Sequence, residues 1–504
     1  MVTQVSKETL VNPVIIIPTY WSSNPKAEPL SVVQSYDHVS DLSGWGELPR
    51  CLFSLRRAGI SCRIVIVVVA GPGDERSAYD KVNKITAGFP ALDTFVVGSE
   101  QAEKVHARMD ELGLHQYAKT AALTSYGAIR NLGLIVAAVL GHDQVIFLDD
   151  DEVVEDPEFV DKALFGLGKL TRRGVPVLVK TGFFYDRSNR YTASDRHNAG
   201  WKQEDAFNRW IEEAMAGARI TPSRFVCGGC MAIDREGYRR MGFDPWIPRG
   251  EDLDYLLNMR LYGFDVWFDN VWSLKHYPPE TADEVLRFRS DYYRWVYEQK
   301  KLEHARTQVD LTPISPSDLD PYPGPLLRPQ GIARMRTAAR FRNYDRRAGF
   351  VEQLTESALS RDADAYAEDN CDRFLRFMYA WPEVFGGFED AAELRDYFDS
   401  CIERHREELR EHVEEEDAML RQAQESLGTA EEIAARWARR ARREERRPRT
   451  RRSLAARARE IVSSGTETPD SAPGGQEDET RDAAVGLGQT PQPPVENTSV
   501  AEAD

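Results

Sequence analysis

Short apolar runs, Val14–Ile17, Ile64–Val69, Thr94–Val97 and Gln144–Leu148, punctuate the N-terminal third of the chain. Between them lie segments whose apolar residues recur at helical spacing, such as Leu48–Ala58 and Ala121–Leu140. Near-continuous Val/Ile runs alternating with helices predict an α/β fold with a mostly parallel sheet covered on both faces. In such sheets ligands gather at the carboxyl ends of the strands, so that is where chemistry is sought.

The alternation fades after about residue 280. The stretch LTPISPSDLDPYPGPLLRP, Leu311–Pro329, reads as a linker or an extended wrap because proline and glycine break regular elements. From about Arg334 to Glu460 the chain is dense in Ala, Leu, Arg and Glu and reads as helical. From Ser463 to Asp504 it is Pro, Gly, Ser, Thr and acid, with too little apolar surface to order it. The expected layout is an N-terminal extension over 1–12, an α/β domain over 13–310, a proline-rich linker over 311–333, a helical accessory region over 334–462 and a disordered acidic tail over 463–504.

Composition narrows the function classes. A hydrophobic fraction of 41% and a charged fraction of 29% are those of a globular protein, and the net charge of −17 argues against nucleic acid as a partner. The first twenty residues lack a basic head followed by a long apolar stretch, and no run is long enough to span a bilayer. A cytoplasmic protein is expected. Arg436–Arg459 holds twelve arginines, which suit peripheral contact with an anionic membrane at its inner face or an acidic partner, or else a solvated helix. Cys227 and Cys230 frame a CGGC segment, but a structural zinc site wants four ligands and no second pair accompanies them.

The strongest chemical signal is QVIFLDDDEVVEDP. A buried strand runs straight into Asp149, Asp150 and Asp151, and adjacent carboxylates at the mouth of an apolar strand repel one another unless a cation compensates them. In an extended backbone Asp149 and Asp151 share one side and can address one divalent metal, manganese or magnesium. The bland alternative is an acidic turn that caps the next helix. Further along, Leu253, Leu256, Leu257 and Leu261 recur at helical spacing, so Glu251 and Asp252 fall in a first helical turn, where the dipole favours acids.

In this order, VIIIPTY, YGAIRNLGL, the aspartate triplet, CGGCMAIDREGYRRMGFD and RGEDLDYLLNMRLYG resemble the landmarks of glycosyltransferase family 2 and its relatives of the GT-A, nucleotide-diphospho-sugar transferase fold. The resemblance covers roughly residues 12–280. It implies a GT-A type nucleotide-binding domain and transfer of one sugar from a nucleotide-diphosphate sugar donor to a glycan, lipid or small-molecule acceptor. It assigns Pro18, Thr19 and Tyr20 to the base, Arg130 and Asn131 to the neighbourhood of the nucleotide and Asp150 to the donor. Metal ligation falls to Asp149, Asp151 and His276, the last in WSLKHYPPE. Asp252 becomes the general base of an inverting transfer, Glu251 an acceptor-binding neighbour and Asp254 a third candidate.

Two departures stand out. Where relatives place an acid that reads the base, VVVAGPGDE offers Ala70 or Gly71, and DYYRW, Asp291–Trp295, stands where processive relatives carry Gln-x-x-Arg-Trp before membrane spans. Single transfer is therefore expected. Trp201, Trp246 and Tyr185 could stack on a sugar ring or be ordinary packing. The competing readings are a nucleotidyltransferase of similar topology and a non-catalytic scaffold that binds a nucleotide sugar.

Overall fold

The apolar runs pair as one sheet. Strand β1 (Pro13–Ser22) lies between β3 (Arg63–Ala70) and β5 (Gln144–Phe147), both parallel to it, and β4 (Thr94–Val97) continues the parallel half beyond β3. The short β2 (Ser40–Asp41) pairs with the end of β1. Ile15–Ile17 and Ile64–Val67 are fully buried, as expected for strands covered on both faces.

The computed structural model describes residues 11–25, 36, 38–193, 203–279, 284–342 and 356–411. They belong to one compact unit, Met1–Arg436; a second unit, Trp437–Asp504, lies outside the described residues, as do the acidic tail and the whole arginine-rich segment. Most of the N-terminal extension and Trp201 also lie outside them. No helix among the described residues is long and apolar enough to cross a membrane.

The second half of the sheet changes direction. Strand β9 (Met231–Asp234) runs antiparallel to β5 on one side and to β7 (Val179–Tyr185) on the other, and β10 (Val266–His276) is parallel to β7. Two short strands pair with β10 in antiparallel fashion, β6 (Glu152–Val153) at its end and β8 (Ile220–Pro222) near its start. The sheet is thus parallel through β4-β3-β1-β5 and mixed beyond, with order β4-β3-β1-β5-β9-β7-β10-β6.

The helix Tyr126–Val139 starts at Ser125, whose Oγ accepts from Ala128 N at 3.3 Å, and is buried from Gly127 to Val139. A helix that is apolar all round must be covered on every side. The sheet supplies one cover: a Cβ at Gly133 would lie 2.9 Å from Ile16. The long helix Glu356–Glu389 supplies another, anchored by Trp381 Nε1, which donates to Tyr238 O at 2.7 Å. The next helix, Ala392–Glu411, is tied down by Arg395 Nε donating to Val139 O at 2.6 Å. The expected linker is packed as well. Leu311, Ile314, Leu319, Tyr322, Leu326 and Leu327 are buried in the same core as the helices, so proline content here marks an irregular wrap.

Candidate active site

The aspartate triplet emerges at the carboxyl end of β5 beside the end of β1, the place the parallel half of the sheet reserves for ligands. The chain does not stay extended there. Glu152 N donates to Asp149 O at 3.2 Å, so residues 149–152 form a tight turn. Asp150 and Asp151 come together with His38, and Asp149 still feels the charges of Asp151 and His276.

Asp150 is almost fully buried and accepts from Thr19 Oγ1 at 2.6 Å, while its other oxygen meets His38 Nε2 at 2.9 Å. Trp21 Nε1 donates to Thr19 Oγ1 at 2.9 Å and fixes that hydroxyl. Asp151 Oδ2 lies 3.1 Å from His276 Nε2 and 3.9 Å from His38 Nδ1. The β6–β10 ladder sets the first distance, because His276 pairs with Glu152, the residue next to Asp151. His38, Asp150 and Asp151 each present a ligand atom, all within 4.8 Å of one another.

The charges show what this cluster wants. Burial disfavours protonated His38, yet the hydrogen-bonded charge of Asp150 outweighs it and lifts the imidazole to about 10. Burial likewise opposes protonated His276, and Asp151 again raises it. Burial would raise Asp151, but His276 and His38 hold it well below the usual carboxylate range. Two imidazoles drawn toward the cationic form around two buried carboxylates mark a place that demands positive charge, and mixed nitrogen and oxygen donors suit a divalent transition metal.

Asp149 also meets Arg130. Loss of bulk water in the cleft pushes its carboxyl up to about 6, partly opposed by Arg130, although 40% of the side chain still faces the opening. Arg130 is 3% exposed and clasps three groups: Asp149 Oδ1 at 3.3 Å, Glu251 Oε1 at 2.8 Å and Gly228 O at 3.1 Å. It thereby ties the triplet to the helix Glu251–Leu261. Glu251 is buried against it, whereas Asp252 is half-buried and is held by Gly228 N at 3.1 Å and Leu253 N at 2.6 Å.

Several expected residues are engaged with protein groups. Asn131 is fully buried and spends its amide on Thr120 O, Phe243 O and Phe243 N at 2.8, 2.8 and 2.6 Å, so it pins these segments together. Asp254 is fully buried, ion-paired with Lys301 and bonded to Asn258. Pro18 is half-buried within β1, and Tyr20 is half-buried with its ring 4.4 Å from that of Tyr36. Trp246 packs edge-on against Phe377.

Two residues escaped the sequence reading. His38 stands alone before β2 with no periodic neighbour to flag it. Glu152 reads as one more acid after the triplet, but it is 2% exposed, accepts from Asp149 N at 2.9 Å and has its pKa pushed well up by burial and then by Asp149. The CGGC segment lies over this carboxyl. Cys227 and Cys230 are buried thiols whose pKa values burial raises, which makes them unreactive.

No protein-family model and no curated protein sequence matches the chain. Among solved structures, a mannosyltransferase of Pyrobaculum calidifontis in complex with GDP-Man and Mn2+ is similar over 75% of this chain and 86% of that one, with 13% identity and a TM-score of 0.38. A mycobacterial protein is similar over 57% of this chain and 73% of its own, with 14% identity and a TM-score of 0.31. Both likenesses are too distant to carry a functional argument, which rests on the cleft itself.

Proposed function

We propose that the protein is a metal-dependent glycosyltransferase that moves one sugar from a nucleotide-diphosphate sugar to an acceptor hydroxyl. The observation that carries this reading is the joining of two acidic clusters by Arg130: a cation-demanding cluster at the end of β5 and a carboxylate pair at a helix start. Asp150, Asp151 and His38 would hold the metal, with His276 on the same Asp151 oxygen that faces His38 and Asp149 at the cleft opening. A bound divalent cation would neutralise the donor diphosphate and its charge build-up on departure.

The chain's own residues supply the rest. Asp252 takes the proton of the acceptor hydroxyl as its oxygen bonds the anomeric carbon and the bond from that carbon to the diphosphate breaks. Gly228 N and Leu253 N aim this carboxylate. Glu251, neutralised by Arg130, keeps the helix start in register with the triplet. Thr19 and Tyr20 border the side from which a base would approach, and Tyr36 and Tyr126 extend the aromatic surface there, with rings 5.1 Å apart. Attack opposite the leaving group makes the transfer inverting.

The test is calorimetric titration of nucleoside diphosphates with Mn2+, with Mg2+ and with chelator, followed by donor hydrolysis over a panel of nucleotide sugars. Cation-dependent binding and slow release of sugar are expected. Equal affinity in chelator would overturn the metal assignment, and cation-dependent binding without any hydrolysis would favour a sensor over a transferase.

A further inference from the structure

A second cavity opens along β10, the strand that ends in His276. Side chains alternate faces along a strand, so His276 and Leu274 face one way and Lys275 and Ser273 the other. Cross-strand register extends this division. Lys275 pairs with Tyr185 on β7 and Val153 on β6, whereas His276 pairs with Glu152 and packs edge-on against Phe184 at 5.0 Å. Lys275 and Ser273 line a cavity of about 430 Å³ together with Tyr185, Glu155 and Asn189, and Leu274 of the His276 row borders it as well.

The lining has a definite chemistry. Tyr185 is half-buried, lines the cavity and stands edge-on to Phe183 and Tyr191, with ring centroids 5.2 and 6.4 Å away. Lys275 Nζ and Glu155 Oε2 lie 2.9 Å apart, and the lining's other acid, Asp156, lies 2.6 Å from Lys162 Nζ, so the charges along the wall are paired. Among the described residues, the Ser273 hydroxyl and the Asn189 side-chain amide make no hydrogen bond to protein. An aromatic ring, paired charges and open hydroxyl and amide groups match a neutral sugar ring, which has an apolar C–H face and a rim of hydroxyls that both donate and accept. An anion would meet Glu155 and a purely apolar ligand would strand the polar rim. The volume is in the range of small-molecule sites and suits about one sugar unit.

We infer that this cavity is a carbohydrate subsite that holds a non-reacting unit of a glycan acceptor. The inference rests on the transferase reading and narrows its acceptor to an oligosaccharide. Binding energy gained there holds the chain while a different unit presents its hydroxyl to Asp252.

Saturation-transfer NMR on the full-length protein, with malto-, cello-, manno- and galacto-oligosaccharides as probes, tests it. One class is expected to bind, and Tyr185→Ala and Ser273→Phe should each weaken that binding at least tenfold while Mn2+-dependent nucleoside diphosphate binding is retained. The retained titration also shows that both variants are folded. No binding of any probe to the wild type, or wild-type binding by both variants, overturns the subsite. Failure of nucleotide binding in the wild type overturns the transferase reading instead, so the two readings fall separately.

Discussion

Glu152 and Gly229 share a space that admits no further atom: a Cβ at position 229 would fall 1.9 Å from Glu152 Oε2. The same carboxyl accepts from Asp149 N, so the second glycine of CGGC indirectly shapes the turn that carries the aspartates. Gly229→Ala should destabilise the protein by about 1–3 kcal/mol, the usual cost of overpacking. In urea denaturation, adding Glu152→Ala should remove that cost, leaving the double variant no less stable than Glu152→Ala alone. Independent, additive losses would show that the two residues do not compete for space.

The convergence of His38 on Asp150 and Asp151 predicts that His38→Ala weakens binding of Mn2+ alone at least tenfold, in the range found when a metal-site residue is removed. Asp150→Asn should do the same, because Asp150 sits between His38 and Thr19. Mn2+ titration followed by calorimetry checks both. Unchanged affinity in His38→Ala would move the metal to the Asp149, Asp151 and His276 set expected from the sequence.

Asp252→Asn keeps an oxygen for Gly228 N and loses the proton acceptor. Turnover should fall on the order of a hundredfold or more while nucleoside diphosphate affinity stays within about twofold. The comparison is single-turnover sugar transfer against calorimetric affinity for the same preparations. Wild-type transfer by this variant would refute Asp252 as the base.

Much of this was legible because strand runs and helical spacing report burial directly. The ends of β3 and β4 and the helix beginning at Glu251 follow from local pattern, whereas β1 runs five residues past the apolar run that marked it. What was not legible depends on contacts far apart in sequence. His38 joins Asp150 across 112 positions, and nothing near His38 announces it. Asn131 lies in a motif that suggests ligand contact, and nothing in it announces that Thr120 and Phe243 take its amide. The turn at Asp149, closed by a backbone hydrogen bond from Glu152, is not announced by the run of acids either. Proline content likewise hid the buried Leu319, Tyr322 and Leu327.

His142 gives the pH dependence its sign. It is 3% exposed, its Nδ1 lies 3.3 Å from Asn12 O and its Nε2 finds no partner among the described residues. Burial, reinforced by the positive charge of Arg63, lowers its pKa from 6.5 to about 4. Above the unfolded value both states are neutral and His142 makes stability independent of pH. Between the two values the unfolded chain binds a proton that the folded chain refuses, so stability falls as pH falls, and it stops falling below the folded value. A tenfold difference in proton affinity between the two states corresponds to about 1.4 kcal/mol, so near pH 5 the loss from this residue should be about 2 kcal/mol relative to about pH 7.5. His142→Gln keeps a side-chain donor for Asn12 O and cannot titrate. Urea denaturation of both proteins at the two pH values should show the wild type losing about 2 kcal/mol more than the variant on acidification. Parallel losses would mean that His142 charges in the folded state, by opening the cover that Tyr238 and the end of the helix Tyr126–Val139 place over it.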